Sequence, residues 1–301
     1  YACNIGGIGT LVGTPPNAFL AGFMLETYDV SIGFAQWMLV GVPLVLVALP
    51  LTYLILPWLS PTGLTEIPGG QQLGPMTDAE KKVGLVFAAT AVLWITRPLL
   101  GGIVPGLSDA GIAIAAGLAL FLIPTRTQEG ASLLTWKQAE ELPWGVLILF
   151  GGGLSLANAI STTGLAAWIG EGVSGYGGWP MLLVVLIVVA TIVMLTEITS
   201  NTATAAAFLP ILASAAIGLG ENPFLLVVPA AIAASCAFML PVATPPNAIV
   251  YGSGFLSIPQ MSRAGLWMNL ACIVLITVLA YTLLLLVFGV EPGTLPAWAA
   301  G

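Results

Sequence analysis

Most of this chain consists of apolar stretches with scarcely a charge: residues 1–25, 36–58, 83–105, 109–124, 143–162, 181–217, 223–256 and 264–289. An α-helix of about 20 apolar residues crosses the hydrocarbon layer of a bilayer. Inside that layer the chain must satisfy its own backbone hydrogen bonds, which leaves helices and closed barrels. Runs of this length are too long for barrel strands, so the expected fold is an all-α polytopic membrane protein, multi-pass and integral to the membrane. Composition agrees, with 6% of residues charged against roughly 25% in soluble domains. Six Lys and Arg residues in all exclude a nucleic-acid surface, and no nucleic-acid partner is expected. The net charge of −7 rests on too few groups to imply a partner. No histidine is present, which removes the commonest general base and metal ligand. Cys3, Cys236 and Cys272 lie far apart in apolar runs and read as small buried thiols, not as a disulfide or zinc framework. The chain opens at Tyr1 in mid-pattern, without a signal peptide, and reads as the C-terminal part of a longer protein.

Two runs are too long for one crossing. Residues 181–217 carry the polar knot "TEITSNTATA" at their centre, where a helix can fold back as a re-entrant hairpin. Residues 223–256 carry "LPVATPPNA", whose Pro245 and Pro246 lack backbone donors and break the helical ladder. The pentapeptide TPPNA also occurs as Thr14-Pro15-Pro16-Asn17-Ala18, inside the first run. Between the runs, residues 60–80 form a Gly-, Pro- and acid-rich loop, and 125–142 read as an interfacial amphipathic helix. If 181–217 is re-entrant and both TPPNA runs cross, the loops with Lys81, Lys82, Arg126, Lys137 and Arg263 share one face, the cytoplasmic one. Arg97 is the exception, and Glu26, Asp29, Asp109, Glu221 and Glu291 fall on the other face. The two TPPNA segments then run in opposite directions, and each is followed by one further hydrophobic helix, 36–58 or 264–289. That is the pattern of an inverted-repeat transporter, with its substrate between broken helices.

Non-helical backbone at membrane depth survives only where it is buried in protein or lines a wet cavity. Three segments qualify: 9–17, 196–204 and 240–247. Each offers hydroxyls, an Asn amide, freed carbonyls and freed N–H groups. Carbonyls and hydroxyls suit a hard cation such as Na⁺. N–H groups at half-helix N-termini suit an anion. None of the three segments holds Lys, Arg or His. An anionic substrate there needs helix ends, Asn and Thr donors, and bound cations to balance its charge, which is a physical reason for cation coupling. Glu197 is the one ionisable residue deep in an apolar run; it reads as a buried, hydrogen-bonded brace of the hairpin more than as a proton carrier. The glycines of "LFGGGLSLA" follow no strand and read as close helix packing or a helix break.

The set "LPWGVLILFGGGLSLA", "TEITSNTATA" and paired "TPPNA" resembles the divalent anion:sodium symporter family across nearly the whole chain. The resemblance implies a homodimer in a lipid bilayer, with a scaffold domain and a mobile transport domain moving by an elevator mechanism. On that basis 1–25 is a broken helix of the first repeat and 26–142 holds scaffold helices and the interfacial segment. Residues 143–256 hold the second repeat, with hairpin 181–217 and broken helix 223–256, and 264–289 is the final crossing. The family carries two Ser-Asn-Thr hairpin tips. Here one is present, at Ser200-Asn201-Thr202, and the other is expected shortly before Tyr1. By motif, Ser200, Asn201 and Thr202 resemble the tip that binds a substrate carboxylate. Thr14-Pro15 and Thr244-Pro245 resemble the loops lining the same pocket. Thr196, Thr199, Asn201 and Ala243 resemble one sodium site, and Gly13 the remaining part of another.

The expected function is secondary active transport of small di- or tricarboxylates such as succinate, malate, fumarate or citrate across a bacterial inner membrane, with Na⁺ as coupling ion. A sodium-independent dicarboxylate exchanger and a sulfate-type carrier share the same fold. An intramembrane enzyme lacks its dyad, since Glu197 has no acidic partner in the pattern, and two broken helices with a hairpin describe an occluded site, not an open pore. The 301-residue chain alone is expected not to transport.

Overall fold

The computed structural model describes residues 1–59, 74–101, 104, 106–125, 132–142, 144–174 and 178–299, the side chains of 57–59 and 173–174 excepted. The described residues are helical and contain no strand. Five helices among them are long and apolar enough to cross a membrane: Phe34–Leu56, Asp78–Leu100, Gly145–Thr162, Asn201–Gly218 and Ile258–Phe288. These are the features of a polytopic helical membrane protein.

In chain order the helices are α1 (Ala2–Ile8), α2 (Pro15–Tyr28), α3 (Phe34–Leu59), α4 (Asp78–Leu100), α5 (Asp109–Leu122), α6 (Trp136–Glu140), α7 (Gly145–Thr162), α8 (Leu165–Ser174), α9 (Met181–Thr196), α10 (Asn201–Gly218), α11 (Phe224–Ala233), α12 (Pro245–Gly252), α13 (Ile258–Ala280) and α14 (Leu283–Phe288). The first apolar run is thus two helices, α1 and α2, parted by residues 9–14. The run 181–217 is α9 and α10, parted at 197–200. The run 223–256 is α11 and α12, parted by 234–244, with one 3₁₀ turn at Pro241–Ala243.

Two compact units are present. One comprises Gly33–Ala35 and the described part of Gly63–Trp144. Here Thr77 and Glu80 cap α4 reciprocally, Glu80 N–H donating to Thr77 Oγ1 and Thr77 N–H to Glu80 Oε2. Asp109 at the start of α5 pairs with Arg97 at 3.1 Å. Its other oxygen accepts from Phe34 N–H, and its carbonyl accepts from Trp94 Nε1 at 2.9 Å. Arg97, the basic residue that breaks the charge sidedness, therefore sits against an acid expected on the same side. Of the amphipathic segment expected at 125–142, residues 126–131, with Arg126, lie outside the described residues. The remainder forms the short α6, capped by Thr135 and Gln138.

The other unit comprises Tyr1–Ile32, Gln36–Thr62 and Gly145–Gly301, in their described parts. Its core is α11, every residue of which is buried, packed among α2, α9, α10 and α13. Without a hydrophobic drive between helices in lipid, close van der Waals contact and polar bonds must hold such a bundle. Two glycines show how. Gly41 on α3 lies against the carbonyls of Ile8 and Gly9, so an added Cβ has no room, and Trp37 one turn away donates Nε1–H to Ile8 O at 2.9 Å. Gly265 on α13 lies against the Phe238 carbonyl in the same manner, and Asn269 one turn away is fully buried. Each unwound segment thus rests on a glycine of the long helix that follows its TPPNA copy.

The second break starts further upstream than its prolines predict. The helix ends at Ala233, and the chain stays non-helical through Leu240, whose backbone is extended, before Pro241 arrives. The cause is Glu197. Its Oε1 accepts from Phe238 N–H at 2.7 Å, Met239 N–H at 2.9 Å and Asn269 Nδ2 at 2.8 Å, and its Oε2 accepts from Leu240 N–H at 3.0 Å. One buried carboxylate takes three successive backbone donors that a helix would otherwise use. Concave sets of successive N–H groups are natural anion seats. Replacing Glu197 by Ala strands those donors and is expected to cost about 3 kcal/mol of stability. Thermal unfolding in detergent checks this. Glu197→Gln should fall between, because its NH₂ meets donors and not acceptors, whereas a midpoint for the Ala variant equal to that of the unmodified protein would contradict the brace.

Candidate functional site

The two TPPNA copies fold alike. Thr14 and Thr244 are the N-caps of α2 and α12, with extended backbone (φ −139°, ψ 144° and φ −146°, ψ 152°). Proline occupies N1 and N2 of both helices, where no intrahelical donor is needed and φ is already helical. The two broken helices also hold each other. Asn4 on α1 donates Nδ2–H to Thr244 Oγ1 at 3.0 Å and to Ala237 O at 3.2 Å, and Ser235 beyond α11 donates to Thr14 Oγ1 at 3.1 Å. Each TPPNA threonine hydroxyl is thus fixed by the first half of the other broken helix.

The turn between α9 and α10, the expected hairpin tip, forms the third segment. Ser200 is the N-cap of α10, and its hydroxyl faces Ala203 N–H at the long distance of 3.5 Å. Thr196 Oγ1 lies 2.7 Å from Asn201 Oδ1 and 2.8 Å from Ala234 O. A hydroxyl has one hydrogen and serves one acceptor at a time. Three oxygens therefore meet around a single proton, with no charged group in the cluster. Nearby, Thr199 Oγ1 is 2.6 Å from Thr204 Oγ1 and 2.9 Å from Leu195 O. Uncharged hydroxyl, amide and carbonyl oxygens gathered this closely are the donor set of a hard cation.

A cavity of about 500 Å³ is lined by Pro15, Ile198, Thr199, Ser200, Asn201, Thr202, Val242, Ala243 and Pro245. It unites the hairpin tip with both TPPNA prolines and holds no ionisable side chain. Three helices, α2, α10 and α12, begin at its wall. Their N-termini carry partial positive charge; α10 also presents first-turn N–H groups without intrahelical acceptors, whereas α2 and α12 open on Pro-Pro and lack the first two donors. Of the residues singled out in the sequence, Pro15, Thr199, Ser200, Asn201, Thr202, Ala243 and Pro245 line this cavity. Thr14, Thr196 and Thr244 stand behind the wall, Thr196 and Thr244 being buried there. Gly13 is exposed one residue before Thr14 and is not part of the lining. A separate cavity of about 530 Å³, lined by Tyr28, Glu171, Ser214 and Trp298 among others, contains none of them.

The profile described as the sodium:sulfate symporter transmembrane region matches residues 1–288. The chain belongs to that family. As a sodium:sulfate symporter-family chain it is an integral membrane protein, in keeping with its apolar helices. It is 44% identical over 304 residues to the sodium-dependent dicarboxylate transporter SdcS of Staphylococcus aureus strains USA300 and MRSA252. The match covers 97% of this chain and 58% of each relative, so the chain spans well under two thirds of the relatives' length.

Several residues of this cluster carry little or no sequence signal. Ala234 enters by its carbonyl alone, which any residue supplies. Thr204 is the last hydroxyl of "TSNTAT" and was within reach of the same reasoning as Thr199. Asn4, on α1, and Ser235, in the turn after α11, are recognised only by what they touch. The cross-bracing is directly testable. With Cys3, Cys236 and Cys272 replaced by Ala, the pair Thr14→Cys and Ser235→Cys is expected to form a disulfide under mild oxidation, because the two hydroxyls are 3.1 Å apart. Intact and reduced mass read the outcome, and a pair that stays reduced would contradict the geometry.

Proposed function

We propose that the protein is the cation-coupled anion carrier of its family: a secondary active transporter, not an enzyme, that moves small di- or tricarboxylates with Na⁺. The observation that carries this reading is the convergence of three helix N-termini and an oxygen-rich, uncharged cluster on one cavity. The sequence likeness to a sodium-dependent dicarboxylate transporter supports it. Ser200, Asn201 and Thr202 supply hydroxyl, amide and first-turn N–H donors to a substrate carboxylate. Thr14-Pro15 and Thr244-Pro245 close the sides. Thr196, Thr199, Asn201 and Ala243 hold one Na⁺ through neutral oxygens, and Gly13 contributes a carbonyl to another.

Charge explains the coupling. A dianion brought into a cavity without Lys, Arg or His is stabilised by helix ends, each equivalent to about half a positive charge. That offset is partial. Cations bound beside the cavity supply the rest, so Na⁺ raises affinity for the anion and the anion raises affinity for Na⁺ by the same factor. The paired breaks support an inverted repeat. In this reading the segments 1–25 and 143–256 belong to the moving transport domain of an elevator, 26–142 holds the scaffold helices, 264–289 is the final crossing, and two copies associate as a homodimer in a bacterial cell membrane. A sulfate carrier is the second reading, favoured by the family's description; hydroxyl and N–H donors fit its oxygens as well.

Uptake of radiolabelled succinate into proteoliposomes of the full-length protein tests this. Uptake is expected only with an inward Na⁺ gradient, and Asn201→Ala is expected to reduce it by about tenfold or more, the loss of roughly 1.4 kcal/mol. Uptake without Na⁺ but dependent on internal dicarboxylate would replace symport by exchange. Sulfate uptake in place of succinate would move the substrate to the second reading.

A further inference from the structure

Each break is closed by the same hydrogen-bonded staple. In the first, Thr10 O accepts from Gly13 N–H at 3.2 Å and from Asn17 Nδ2 at 3.0 Å. In the second, Leu240 O accepts from Ala243 N–H at 3.2 Å and from Asn247 Nδ2 at 3.1 Å. The register is identical: a carbonyl, the N–H three residues on, and the asparagine seven residues on. Yet three of the four residues before the pentapeptide differ, Thr10-Leu11-Val12-Gly13 in one copy and Leu240-Pro241-Val242-Ala243 in the other. The shared geometry therefore comes from the shared TPPNA, and its asparagine is the member that reaches back across the gap.

The burial of these asparagines points to the donor as the reason for them. Asn17 is 0% exposed and Asn247 1% exposed, and the Oδ1 of each has no hydrogen-bond partner. A buried amide with an idle acceptor is costlier than leucine of similar size. Packing alone does not call for Asn here. What Nδ2 adds is a tie between the first turn of the second half-helix and the last free carbonyl of the unwound turn. Asn247 adds a second tie, to Ala237 O at 3.0 Å.

The carbonyls to which the cation reading gives Na⁺ contacts are those of Gly13 and Ala243, each in the peptide that follows the tied N–H. That peptide is flanked on one side by the tied N–H of Gly13 or Ala243 and on the other by an extended threonine N-cap whose helix the asparagine ties back to the same turn, so the staple restrains it from both ends. We propose that Asn17 and Asn247 are positioning residues for the two cation sites: they do not touch Na⁺, but hold the turns whose carbonyls do. The inference rests on the Na⁺-coupled reading above.

Asn17→Leu and Asn247→Leu test it. Each carbonyl released keeps another donor, Gly13 N–H, Ala243 N–H, or Asn4 Nδ2 at Ala237 O, so folding is expected to persist. In full-length protein each variant should raise the Na⁺ concentration for half-maximal succinate uptake by about tenfold, while the succinate KM at saturating Na⁺ stays within about twofold. The shift in melting temperature produced by Na⁺ alone should shrink in parallel. Ser214→Ala, which removes a buried hydroxyl bonded to Pro210 O on α10 far along from the tip, serves as the control for general loosening and should leave the Na⁺ dependence unchanged. Variants that lose stability but keep the unmodified Na⁺ dependence would reduce the asparagines to structural props and overturn the inference alone. Uptake by the unmodified protein that ignores Na⁺ would overturn the parent reading, and this one with it. Should the Leu variants not be recovered, amide exchange at Gly13 and Ala243 in the unmodified protein decides: slowing by Na⁺ alone at both supports the proposal, and no change at either overturns it.

Discussion

The carboxylate of Glu197 is the interaction on which the rest of this site depends. It stands at the end of α9, and the three N–H groups it accepts belong to the unwound stretch after α11, while Asn269 reaches it from α13. One side chain thereby joins the hairpin tip, the second broken helix and the helix behind them. Backbone unwound inside a membrane protein has to find partners or revert to helix. Asn4 and Asn247 supply partners for the carbonyls of Ala237 and Leu240, and Glu197 supplies them for the N–H groups of 238–240. Because the same residue directly precedes the tip at 198–202, the tip and the break are held in one register, and Thr196 comes within bonding distance of Ala234 O.

Around this brace the site is built from neutral parts. Three helices start at the cavity wall, and two of them start with Pro-Pro, which removes the donors most exposed at a helix N-terminus while leaving the dipole. The remaining polar atoms are threonine and serine hydroxyls, asparagine amides and carbonyls. In the proposed reading, an anion and a cation bound together each supply the charge that the neutral site lacks for the other. That mutual dependence is what the proposed coupling requires.

The interlocking of the two broken helices gives the arrangement its stiffness. Asn4 and Ser235 each cross to the TPPNA threonine of the other copy, so the two loops are tied to each other. Gly41 and Gly265 let α3 and α13 approach the bare backbone of the breaks, where a methyl group would collide with carbonyl oxygen. Close approach of this kind takes the place of the hydrophobic drive that a soluble core would have.

The sequence by itself determined the membrane-spanning helical class, the three interruptions and most of the cavity lining. Apolar length and proline act locally, and the pentapeptide is its own label; helix starts at Pro15, Asn201 and Pro245 lie where Thr-Pro and Ser-Asn-Thr put them. What it left open was decided by contacts between distant segments. The upstream start of the second break, the entry of Ala234 O, the short helix α8 and the bracing roles of Asn4, Ser235 and Asn269 have no local pattern. A carbonyl has no residue identity, and a buried asparagine reads the same whether it fills a gap or ties a turn. Only the folded chain, in which unwound donors and acceptors must each find a partner out of water, tells these apart.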